Sequence, residues 1–181
     1  AAFSMLGQIV FGYLSDRHAS IKKFIIILTY LIIISGLLAY SYTDISFLAH
    51  FVAMSVTAGS TRIVGNLFET WILELDEIHD DFSYIRSYGS LGWALASLGS
   101  GYLVLKFGYS SLGYLAAILG VLIVFIASRA KDAQKENSEG LSFLDVKELL
   151  SNKNYIVLIL VFFFAYLIYN TDTITITEYI F

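Results

Sequence analysis

Four side chains in one stretch of this sequence could together form a binding site. Glu69 lies near the end of an apolar segment, and Arg86, Ser90 and Trp93 follow across an acidic loop in the run ETWILELDEIHDDFSYIRSYGSLGW, residues 69–93. On a helix Arg86, Ser90, Trp93 and Ser97 are spaced i, i+4, i+7 and i+11, so they share one stripe. Gly89, Gly92, Ala96 and Gly99 form a neighbouring stripe of small residues, where a second helix can approach closely. A cation, a hydroxyl and a flat aromatic face then point the same way, with a carboxylate across the loop. Gly65 lies one turn before Glu69 and leaves room for a ligand or a helix. Arg62 and Glu69, spaced i, i+7, also share a face, which leaves an internal charge network open as a second reading.

These charges stand in apolar surroundings. The chain of 181 residues is 57% hydrophobic, 16% aromatic and 14% charged, with a net charge of −4, and its mean hydropathy is +0.73. Uncharged runs cover Phe24 to Thr43, Ser87 to Leu105, Phe107 to Ser128 and Asn154 to Thr171, and Ile45 to Thr61 is likewise free of charged side chains. A bilayer core of ~30 Å needs roughly 20 such residues in a helix. Five runs leave too little polar surface for a soluble helical domain of this size, and they lack the two-residue alternation of a transmembrane barrel. Ionisable groups inside such spans mark a pathway or a binding site. The chain has no Cys, so neither a disulfide framework nor thiol chemistry is available.

Six spans are expected: Ala1 to about Leu14, Phe24 to Tyr42, Ile45 to Trp71, Tyr84 to Leu105, Tyr109 to Ser128, and a last one from about Asn154. The tail TDTITITEYIF alternates like a strand, but lipid would leave a lone strand unpaired, so helix is expected there too. It places Asn170 and Asp172 together with Tyr169. Residues 131–153 read as a polar linker, in which Ser142 and Asp145 form a capping box and Leu141, Leu144, Leu149 and Leu150 an apolar side, as in a helix lying on a membrane surface. Loop bases Arg17, Lys22, Lys23, Arg129, Lys131, Lys135, Lys147 and Lys153 fall on one side and Lys106 on the other, so loops 15–23 and 129–153 are expected to be cytoplasmic. The acids and His79 between Glu74 and Asp81 match no metal spacing and read as a solvated loop, so metal is expected nowhere. No nucleophile, base and orienting group form a catalytic set, so an enzyme is not expected, nor any cofactor. The sequence starts and ends inside apolar segments and reads as a piece of a longer protein.

The loop GYLSDRHASIKK adds a specific signal. Gly12, Asp16 and Arg17, followed by the basic pair Lys22 and Lys23, match the pattern G-x-x-x-D-[RK]-x-G and basic pair between helices two and three of major facilitator transporters; Ala19 stands where the second Gly is expected. Together with the run Arg86, Tyr88, Gly89, Gly92, Trp93, Ala94 and the segment FLDVKELLSNKNYIVL, the chain resembles the oligosaccharide:proton symporters of the major facilitator superfamily, the lactose permease group. The resemblance implies an all-α membrane protein of that fold, present as an N-terminal bundle of helices two to six at 1–130, a cytoplasmic linker at 131–153 and helix seven at 154–181. It implies a monomer in the cell membrane that carries a sugar with protons by alternating access. It assigns Glu69 and Arg86 to sugar hydroxyls, Trp93 to the sugar ring, Ser90 and Gly65 to the small positions beside them, and Asn170 or Asp172 to the helix-seven position. Gly12, Asp16, Arg17, Lys22 and Lys23 are the implied conformational switch. The loop between acid and Arg differs by one residue from the family pattern, so Glu74 is the other acid in range. A nucleoside or drug carrier on the same scaffold, and a membrane sensor that binds without flux, are the alternatives.

Overall fold

The computed structural model describes residues 2–41, 46–75, 77–133, 151–161 and 164. Among these residues the secondary structure is helical throughout. The chain divides into two units, Ala1–Asn137 and Ser138–Phe181. In the second, residues 153–161 are helical, and Asn152 receives the Asn154 N–H on its side-chain oxygen at 3.0 Å at the start of that helix.

The first unit is an up-and-down bundle. Its elements are α1 (Ala2–His18), α2 (Lys22–Ser41), α3 (Phe47–Leu73), a 3₁₀ turn at His79–Asp81, α4 (Phe82–Phe107) and α5 (Ser110–Arg129). Helices α2, α3 and α5 are long and apolar enough to cross a bilayer. The 17 residues of α1 rise about 26 Å, short of the ~30 Å core. Helix α4 has length to spare at 26 residues, but its serines and glycines dilute its apolar character.

Helix α2 lies between α3 and α5, and α1 packs on α3. The core sits at the end where α2 begins and α3 and α5 finish: Ile21, Phe24, Ile25 and Leu28 meet Ile63, Val64, Leu67 and Trp71, with Ala127 and Ala133 closing it. Close approach needs small residues. A Cβ at Gly113 of α5 would lie 2.9 Å from Ser41 Oγ and 3.3 Å from the Gly36 carbonyl oxygen of α2. Between α2 and α3, Thr57 donates to Ser35 Oγ at 2.8 Å, polar glue of the kind that joins helices in lipid.

The first loop is tighter than the sequence pattern suggests. Helix α1 continues to His18, so Gly12, Asp16 and Arg17 are helical, while Lys22 and Lys23 open α2. The reversal takes three residues, and Ala19 makes it with φ +47°. That is the left-handed conformation for which a Gly is suited, at the position where the family pattern has one.

Candidate functional site

Helices α3 and α4 carry the candidate site on their unburied faces. The buried side of α3 is Ala53, Gly59, Ser60, Ile63, Val64, Leu67 and Trp71. Its opposite side shows Arg62, Gly65, Asn66 and the half-buried Glu69. Helix α4 has no buried residue and packs chiefly against α5, touching α3 only lightly. Its stripe of Arg86, Ser90 and Trp93 is therefore open, with Trp93 75% exposed.

The structure brings Glu69 and Arg86 together: Nη2 lies 3.5 Å from Oε1, with the two side chains 62% exposed for Arg86 and 46% for Glu69. An intrahelical Arg62–Glu69 network is not what forms. Arg62 makes no ion pair among the described residues, although it shares the unburied face of α3. The Arg86 guanidinium also lies 6.0 Å from the centre of the Phe82 ring. A Cβ added at Gly65 would meet no other atom within 4 Å, so the surface between Arg62 and Glu69 is open. Glu74 is the residue that ends α3, its N–H on the Thr70 carbonyl oxygen at 3.0 Å. Asn170 and Asp172 lie outside the described residues, as does the expected surface helix around 141–150.

Depth follows from helical rise. Glu69 is one turn from the end of α3 and Arg86 one turn from the start of α4, so the pair lies toward the basic end of the bundle. Trp93 stands two turns further in, about 10 Å along the axis. The arrangement is a charged pair near the helix ends and an aromatic face deeper on the same side. Hydroxyls suit the first, a flat ring the second.

The basic end holds a network that the motif alone does not disclose. Asp132, just past α5, accepts from Ser20 Oγ and, at 3.1 Å, from the Lys22 backbone N–H. It thus caps the start of α2 from across the bundle, where a carboxylate also suits the helix dipole. Lys22 Nζ donates to the Ser128 and Ala130 carbonyl oxygens, each at 2.8 Å, neutralising the C-terminal end of α5. Lys131 pairs with Glu77 of the acidic loop. So Lys22 of the expected switch group is tied to the exit of α5. Asp132 was not among the residues singled out from the sequence; the visible signal is an acid after the last turn of a span, opposite a Ser-x-Lys helix start.

The chain is 28% identical over 180 residues to the Escherichia coli (strain K12) protein named "Putative nucleoside transporter YegT"; the match takes in 91% of this chain and 40% of that protein. The chain therefore spans about two fifths of that relative's length. No solved structure matches it. The family model described as Major Facilitator Superfamily matches residues 1–180, and the chain belongs to that superfamily.

Proposed function

We propose that this chain is part of a secondary transporter that carries a small solute with a hydroxylated ring, in the first place a nucleoside, through the cell membrane by alternating access. The observation that carries the reading is the Glu69–Arg86 contact at 3.5 Å on an unburied face, with Trp93 open on the same stripe. A carboxylate accepts from one ribose hydroxyl while the guanidinium donates to its neighbour, and both bonds are charge-assisted. The indole stacks on the base; stacking of this kind is worth about 1–3 kcal/mol per base. The relative named as a nucleoside transporter supports this choice of solute.

Sugar is the second reading, favoured by the resemblance of the Glu69, Arg86 and Trp93 set to the oligosaccharide:proton symporters. The same pair would hold pyranose hydroxyls and the indole would take the apolar sugar face. In both readings the two bundles rock around a central site, protons supply the driving gradient, and the protein works as a monomer. The motif of Gly12, Asp16 and Arg17 on α1 with Lys22 and Lys23 at the start of α2 biases the access state through its contacts at the basic end. Equilibrium binding of labelled uridine, labelled inosine and labelled lactose, each measured separately on the purified full-length protein, tests the assignment. Saturable binding of either nucleoside supports the nucleoside reading, saturable binding of lactose alone supports sugar, and saturable binding of none overturns both.

A further inference from the structure

Two stripes of equal length meet at the Glu69–Arg86 pair. Seven residues lead back from Glu69 to Arg62 on α3, and seven lead on from Arg86 to Trp93 on α4. The helices run in opposite directions, so both steps go the same way, away from the basic end. Each covers about 10 Å. Arg62 and Trp93 therefore lie at one depth, each 11 residues from the adjoining end of its helix, Leu73 for α3 and Phe82 for α4. Both are unburied. Gly65 opens the surface between Arg62 and the pair.

The depth of Arg62 calls for a partner. It is close to the midpoint of α3, roughly 16 Å from the nearer helix end, which is too deep for its head to rest at a lipid interface. A guanidinium at such depth faces an aqueous cavity or a partner. Among the described residues it has no ion pair. A ring stacked on Trp93, with its ribose at Glu69 and Arg86, would bring its far edge to the level of Arg62. The guanidinium offers only donors, set in a planar fork. That fork matches two adjacent acceptors, as on the O6 and N7 edge of a 6-oxopurine. Adenine presents a donor amino group at the same place and is a mismatch.

We propose that Arg62 determines base specificity and that the preferred substrate is a 6-oxopurine nucleoside. This rests on the nucleoside reading above. The test is equilibrium binding of inosine and adenosine, which are both neutral and differ at position 6, to the purified full-length protein. Wild type should bind inosine about tenfold or more tighter than adenosine, the discrimination given by a bidentate contact. Arg62→Gln should lose that preference and shift toward adenosine, since a carboxamide pairs with the adenine N6 and N7 edge. Arg62→Lys should keep inosine ahead by a smaller margin. Equal binding of the two nucleosides by wild type, or an inosine preference that survives in Arg62→Gln, would overturn the proposal while leaving the nucleoside reading intact. If Arg62 instead pairs with an acid elsewhere in the protein, Arg62→Gln would lower thermal stability and weaken both nucleosides equally, which also overturns it. If Arg62→Gln does not fold, the wild-type ratio and Arg62→Lys decide. Failure of both nucleosides to bind wild type would instead sink the nucleoside reading itself.

Discussion

The Trp71 indole N–H donates to the Lys131 carbonyl oxygen at 3.1 Å, joining the last turn of α3 to the segment that leaves α5. Trp71 is buried and closes the core at that end, so this bond sits beside the Asp132 cap on α2. Trp71→Phe keeps an aromatic ring but removes the donor and part of the buried volume. It should cost at least about 1 kcal/mol of stability, read as a lowered thermal midpoint of the detergent-purified protein. An unchanged midpoint would show that the bond does not hold the helix ends together.

Asp132 should matter more. Asp132→Ala removes acceptors from Ser20 and from the Lys22 N–H and should cost about 1–2 kcal/mol, the range for a lost helix cap. Asp132→Asn keeps an acceptor oxygen and should cost less. Equal losses for the two variants would assign the effect to charge rather than to the cap.

Ala19 offers a gain. Its φ of +47° costs a non-Gly residue about 1–2 kcal/mol, and Gly relieves that while adding about 0.4–1 kcal/mol of unfolded-chain entropy. Ala19→Gly should therefore raise the thermal midpoint slightly, and Ala19→Val should lower it. A midpoint that falls in Ala19→Gly would contradict the strained turn.

How much of this was readable beforehand differs by feature. The order and positions of helices α1 to α5 were legible because long uncharged apolar runs have one stable form in lipid, although only α2, α3 and α5 are apolar enough to cross a bilayer. The i, i+4, i+7 stripe placed Arg86, Ser90 and Trp93 on one face, since helical periodicity is local. Which acid meets Arg86 was not legible, because the loop between the helices sets their register and its length left Glu69 and Glu74 both in range. The end of α1 lies four residues beyond Leu14, where the sequence places it: Ser15 to His18 are polar like a loop, yet the backbone stays helical until Ala19 reverses it. The role of Asp132 is not legible in the sequence because its partners are more than a hundred positions away, and no local pattern encodes such a contact.

Glycines separate packing from binding. At Gly113 a side chain would press on Ser41 and on the α2 backbone, so Gly113→Val should destabilise by about 1–3 kcal/mol. Gly65 has open space. Gly65→Leu should leave the thermal midpoint unchanged or slightly higher, given the better helix propensity, and should weaken nucleoside binding by filling the surface between Arg62 and Glu69. Intact binding in folded Gly65→Leu protein would remove Gly65 from the site.

The central claim is that Glu69 and Arg86 hold substrate hydroxyls between them, and Arg86→Lys tests it most directly. The pair is about half exposed, so its own contribution to stability is under about 1 kcal/mol, and the variant should fold normally. An ammonium cannot reproduce the planar fork. The measurement is equilibrium binding of inosine to the purified full-length wild type and Arg86→Lys, with thermal midpoints taken on the same samples. The account predicts affinity weakened by about tenfold or more at an unchanged midpoint. Folded Arg86→Lys protein that binds inosine as tightly as wild type would contradict it.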